Sequence, residues 1–159
     1  DAKLTPIESL LDEYDYKAPR VARRSNLDLI LPEGDTPNHP PVHILGIEPE
    51  HTWCYYFEKA ELAWQWQDYA TVMGLYKEAQ SAGFAPFDLT EYYPFIDAFA
   101  RSGNLQKAAE LSEPIRNQSK AANQGVCALW TQYAEDGQIA AQAPEVIQGI
   151  LDSFECPVD

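Results

Sequence analysis

Apolar residues recur three and four positions apart through most of the chain, which predicts a protein built mainly of helices. From about 52 to 66, Trp53, Tyr56, Phe57, Ala60 and Trp64 form one stripe, with Tyr55, Glu58, Glu61 and Gln65 largely opposite. From about 68 to 82 the stripe is Tyr69, Val72, Met73, Tyr76 and Ala79, and Gly83 is placed to close the helix in the left-handed conformation. Small Ala60 and Ala63 against Val72 and Tyr76 let the two helices approach closely. A second pair is expected over about 90–117. Thr90 is its cap, Pro94 sits at the fourth position, Tyr92, Phe95, Ile96 and Phe99 face inward, and Gly103 ends the first helix. Leu105, Ala108, Ala109 and Leu111 open the second helix, Pro114 kinks or ends it, and the polar stretch Asn117 to Gln124 reads as a loop. A third pair, about 123–155, carries Val126, Leu129, Trp130 and Tyr133, then Val146, Ile147, Ile150, Leu151 and Phe154 after Pro144.

Ahead of these pairs the pattern changes. Thr5, Pro6 and Glu8 form a capping signature for a helix whose stripe is Ile7, Leu10, Leu11 and Tyr14. Leu27–Leu31 and Val42–Ile47 are short β-prone runs separated by a Pro-rich link, and they are expected to lie extended or to pair as a small ribbon packed on the helices. Residues 1–51 therefore read as a lead-in and 52–159 as the helical-repeat domain.

The turns register the pairs against one another. Gln67-Asp68-Tyr69 aligns with Gly103-Asn104-Leu105 at an offset of 36 residues, and a third turn, Asp136-Gly137-Gln138-Ile139, follows Gly103 by 34. This is the length of a two-helix repeat, a unit that cannot bury its apolar face alone and is stabilised by stacking on its neighbours. The arrangement resembles the tetratricopeptide family, whose pattern runs W-x2-L-G-x2-Y, then A-x3-F, then P. Tyr56, Ala60 and Ala63 stand at the Trp, Gly and Tyr positions of the first copy, and Tyr92, Phe95, Ile96 and Phe99 match in the second, followed by Ala108. Lys59 stands at the Leu position, Ser112 at the aromatic one, and Pro86 falls two residues late. The resemblance implies an α-solenoid of about three helix pairs.

A narrower resemblance runs through Ile47-Glu48-Pro49-Glu50-His51-Thr52-Trp53 and on to Ala63, then from Asp68-Tyr69 to Gly83-Phe84-Ala85-Pro86. It is similar to the start of the soluble C-terminal domain of bacterial polytopic membrane proteins of the lipid-linked-sugar glycosyltransferase type. It implies an accessory domain outside the membrane, excised from a longer parent, and carries over no catalytic residue.

Composition narrows the partners. A chain of 159 residues is long enough to bury one core without metal or disulfide staples. Its 25 acidic and 11 basic residues give a net charge of −14, which repels phosphate backbones and anionic lipid, so nucleic acid is not an expected partner. From residue 123 onward the acids Glu135, Asp136, Glu145, Asp152, Glu155 and Asp159 stand with no Lys or Arg, which suits the outer face of a terminal repeat or an anionic docking surface. No apolar run is long enough to span a membrane.

Candidate chemistry is sparse. No nucleophile elbow, phosphate-binding glycine loop, zincin pair or dinucleotide fingerprint occurs, and no cofactor is expected. Tyr55 and Trp66 are the aromatic residues best placed for exposed contact with a protein or a glycan. Arg20, Arg23 and Arg24 form the densest positive cluster, either an anion site or partners for the chain's own carboxylates. His39, His43 and His51 fall near Glu33, Asp35, Glu48 and Glu50, where a metal site is the sharper reading and solvated loop histidines the plainer one. Of Cys54, Cys127 and Cys156, an oxidising compartment would favour a bond between the last two, because the final helix should fold back on its partner; free buried thiols fit equally. The expected function is a non-catalytic interaction scaffold that contacts a protein partner or its own membrane portion through a groove lined by the first helix of each pair. An extracytoplasmic place is preferred, with the cytoplasm still open. A glycan-binding module and a small metal-dependent hydrolase are the alternatives.

Overall fold

A computed structural model describes residues 23–26, 42–47 and 49–157, and among them the chain forms eight α-helices, two 3-10 segments and no strand. The helices are α1 (Val42–Leu45), α2 (Trp53–Gln65), α3 (Tyr69–Ser81), α4 (Tyr93–Arg101), α5 (Leu105–Ser112), α6 (Lys120–Glu135), α7 (Gly137–Ala140) and α8 (Pro144–Ser153). The 3-10 segments are Leu89–Tyr92 and Glu113–Asn117. The expected N-terminal helix around Ile7–Tyr14 and the β-prone run Leu27–Leu31 lie outside the described residues.

The helical stripes face the core in part, with Tyr56, Phe57, Trp64, Tyr69 and Met73 half-buried at its edge. In α2 the buried positions are Trp53, Ala60 and Ala63; in α3 they are Val72, Tyr76 and Ala79. Tyr76 then meets Phe95 and Phe99 of α4, each with ring centroids 5.5 Å away, and Trp53 meets Phe95 at 5.5 Å and Tyr92 at 5.6 Å. These edge and tilted contacts between rings knit α2, α3 and α4 into one core. In order, α2 packs on α3, α3 on α4 and α4 on α5, while α5 and α6 both pack against α8.

Two interhelical turns are built alike. Gln67 and Gly103 both take positive φ, 62° and 86°. Asp68 N donates to Ala63 O at 2.9 Å, and Asn104 N donates to Phe99 O at 2.8 Å. Each of these residues then caps the next helix, Asp68 accepting from Thr71 N and Asn104 from Lys107 N, both at 3.1 Å. One side chain thus begins a helix while its own N–H satisfies a carbonyl at the end of the preceding one.

Several boundaries differ from the sequence expectation. Asp88, not Thr90, is the cap before α4: its Oδ1 accepts from Thr90 N at 2.9 Å and from the Thr90 hydroxyl at 2.7 Å. Leu89–Tyr92 then turns as a 3-10 segment, so that α4 starts at Tyr93 and Pro94 falls in its first turn, where no intrahelical N–H is lost. The stretch Asn117 to Gln124 is not a loop throughout, because Ser119 accepts from Ala122 N at 3.0 Å and α6 begins at Lys120. Pro114 does end α5, which passes into the 3-10 segment Glu113–Asn117. Val42–Ile47, expected as extended or ribbon, contains one turn of helix, closed by Gly46 at φ 82° with its N–H on Val42 O at 2.8 Å. Among the described residues no strand pairs with this run, so its β-branched residues gain nothing from an extended form and a local bond prevails.

The third segment is closed covalently. Cys127 on α6 and Cys156, just beyond α8, form a disulfide, and Cys54 is an exposed free thiol. Ser112, at the position where the tetratricopeptide pattern has an aromatic, is fully buried beside fully buried Trp130. Its hydroxyl accepts from the Trp130 indole at 3.0 Å and donates to Ala108 O at 2.9 Å, so a small polar residue on α5 makes room for a large ring on α6 and satisfies its N–H.

Candidate functional site

The first helices of the three expected pairs, α2, α4 and α6, meet around one carboxylate. Asp97 is 4% exposed. Its Oδ2 accepts from Trp64 Nε1 on α2 at 2.7 Å, its Oδ1 from the Tyr133 hydroxyl on α6 at 2.9 Å, and both oxygens from Arg101 Nε at 2.9 and 3.0 Å. Burial pushes the Tyr133 hydroxyl well above its ordinary value, and Asp97 adds to that. Burial opposes the charge of Arg101, but Asp97 more than offsets it and the guanidinium is held still more firmly protonated. With its lone pairs engaged by donors from three helices, Asp97 is a closed junction.

This junction corrects the expected binding groove. Every residue of α4 from Tyr93 to Ala100 is buried. Trp64 and Tyr133 close on Asp97 from α2 and α6, and the Tyr93 hydroxyl reaches across to Ala122 O on α6 at 2.9 Å, so α4 presents no open face between them over these residues. Asp97 is not among the site residues expected from the sequence. The signal was a lone acid in Tyr93-Pro94-Phe95-Ile96-Asp97-Ala98-Phe99, a helix otherwise apolar.

The predicted contact residues are scattered. Tyr55 is half-buried and stacked under His51, with centroids 3.5 Å apart and planes 8° from parallel, and Lys59 Nζ lies 4.9 Å from the ring centre. The ring is engaged by its own neighbours. Trp66, at the C-terminal cap of α2, is 41% exposed and stands roughly 16 Å further along that helix at ~1.5 Å per residue, so the two rings do not form one stacking platform. Arg23 and Arg24 are exposed in a turn, and Arg20 lies outside the described residues. His39 also lies outside them, His43 is exposed on α1 and His51 is committed to Tyr55. Among the described residues no group of three or more His, Cys, Asp or Glu side chains is gathered to hold a metal ion.

Open concave surface lies instead beside the disulfide. One groove, about 590 Å³, is lined by α6 residues including Asn123, Cys127, Ala128 and Thr131, and by Phe154, Glu155 and Pro157. A second, about 240 Å³, shares Thr131 and Pro157 and continues past Glu135, Leu151, Asp152 and Cys156. Together they follow the outer stripe of α6 nearly from end to end. Sequence spacing held part of this: Cys127, Thr131 and Glu135 recur every four residues, as one helical face requires. No helix among the described residues is long and apolar enough to cross a membrane.

No family profile matches this chain, and neither a curated protein nor a solved structure is significantly similar to it.

Proposed function

We propose that this chain is a non-catalytic interaction scaffold of tetratricopeptide-like helix pairs. The observation that carries the reading is the pair of turns at Gln67-Asp68 and Gly103-Asn104, built with the same bonds 36 residues apart. Equivalent turns in the first two pairs, between helices that pack in sequence order from α2 to α5, are what stacked two-helix units require. Most aromatic residues of the helix pairs are spent on packing, Trp66 and Phe87 being exposed, and the one deeply buried carboxylate among the described residues is used up in joining helices. The described open surface is a groove with polar rims, the form in which peptide segments are bound.

In its cellular setting, the scaffold is the accessory domain of a bacterial membrane protein of the glycosyltransferase type, outside the cytoplasm. Two observations support this: the likeness running from Ile47 to Pro86, and a disulfide of the kind that persists in oxidising compartments. The test is a displayed peptide library run beside a glycan array, each with the disulfide-intact protein. Enrichment of peptides sharing a motif, with no saccharide response, is the expected result. Saccharide-dependent quenching of Trp fluorescence without peptide enrichment would overturn the reading in favour of a glycan module.

A further inference from the structure

We propose that the groove between α6 and the disulfide-held C-terminal segment is a docking site for an extended peptide in which Arg or Lys alternates with apolar residues. The inference rests on the scaffold reading and names the chemistry of the partner. The floor and far wall offer apolar surface from Ala128, Leu151, Phe154 and Pro157. The rim carries the exposed acids Glu135, Asp152 and Glu155, with Lys120 the one cation among the lining residues, at the opposite end. No Lys or Arg follows Lys120 in the chain, and the cation nearest the floor, Arg116, whose guanidinium lies 5.4 Å from the Phe154 ring centre, is paired with Glu113, so the three rim acids keep their field. From Lys120 to Glu135 the groove runs about 22 Å at ~1.5 Å per residue of helix, which accommodates some six or seven residues of extended chain at ~3.3 Å each. The exposed amide of Gln124 stands along it, able to bond an extended backbone, while every second side chain enters the groove and the others meet the acids.

The disulfide has a part in this. Cys127 lines the larger groove, Cys156 the smaller, and Pro157 both, so the bond fixes the segment that forms their common wall. Fixing that wall in advance removes an ordering cost from binding.

The experiment is fluorescence anisotropy with the full chain and an eight-residue labelled peptide alternating Arg and Leu, beside its Glu–Leu counterpart. The Arg–Leu peptide is expected to bind saturably and the Glu–Leu peptide not to bind. Glu135→Gln, Asp152→Asn and Glu155→Gln together are expected to raise Kd about tenfold or more. The same number of neutralisations at Glu58, Glu78 and Glu110 should leave it within about twofold, which separates this groove from the general pull of an acidic protein. Ala128→Arg, which places bulk and charge on the floor from an outer helical position, should abolish binding with the circular dichroism unchanged. Equal binding of both peptides, or binding indifferent to Ala128→Arg, overturns the proposal. If Trp66→Ala abolishes it instead, the groove is wrong and the scaffold reading stands; if no library peptide binds anywhere, both fall. Self-association of the protein that Ala128→Arg removes would assign the groove to a second copy and overturn the peptide assignment.

Discussion

Taking a carboxylate out of water costs several kcal/mol unless its lone pairs are engaged, and Asp97 meets that condition with donors from three helices. Asp97→Ala leaves the fully buried Tyr133 hydroxyl and the half-buried Trp64 N–H without their acceptor and should cost about 3 kcal/mol in urea unfolding. Trp64→Phe, which removes one charge-assisted bond and keeps most of the packing, should cost about 1.5–3 kcal/mol. A loss under ~1 kcal/mol for Asp97→Ala would mean that the helices hold together without this junction. The residue itself was visible as a lone acid in an apolar helix, but its partners were not. Trp64 and Tyr133 stand 33 and 36 positions away, and only the stacking of α2, α4 and α6 brings them to one point. Ser112 makes the same lesson from the other side: its departure from the tetratricopeptide pattern was legible, and the compensating Trp130 was not.

Helices were legible where the stripe was long and its end was marked. Gly83 and Gly103 close α3 and α4 with φ of 79° and 86°, as their positions required. Starts were harder to read, because a cap is one side chain within a polar tract. Ser119 lies among Asn117, Gln118 and Lys120, and Asp88 competes with Thr90, which turns out to donate to it. Val42–Ile47 misled because β propensity reports packing on a pleated neighbour, and no such neighbour is described. Two substitutions test the element scale in opposite directions. Ser119→Ala should destabilise by about 1 kcal/mol through loss of the cap on α6. Gln67→Gly should stabilise by about 0.5–1 kcal/mol, since a side chain at φ 62° carries a steric cost that glycine does not. Both are read as shifts in the urea midpoint; a destabilising Gln67→Gly would show that the turn relaxes out of the left-handed region in solution.

At the level of the whole molecule, two buried tyrosines join α4 and α6. Tyr93 donates to Ala122 O and Tyr133 to Asp97, and burial pushes both hydroxyls well above the ordinary tyrosine value, helped by Asp88 for Tyr93 and Asp97 for Tyr133. A folded state that keeps these protons longer than the unfolded chain is favoured at lower pH. The contribution is intact below the unfolded value near ~10 and is lost as pH climbs from there toward the folded values. Urea stability should therefore fall above about pH 10, and tyrosinate absorbance should rise in two stages, the second coinciding with loss of helical circular dichroism. Simultaneous ionisation of all nine tyrosines in a protein still helical would contradict the buried positions of these two. The mainly helical plan was legible because apolar positions recur three and four apart, and the two turns 36 residues apart could be matched to each other by their residues. The open groove was not, because its walls come from α6 and from a segment beyond α8 joined through Cys127 and Cys156.

That union has a practical corollary for Cys54. With the other two cysteines consumed, one sulfhydryl is left, exposed on α2 and not among the groove's lining residues. A maleimide dye or spin label added without reductant will go to that single address, giving a homogeneous conjugate without any engineered residue.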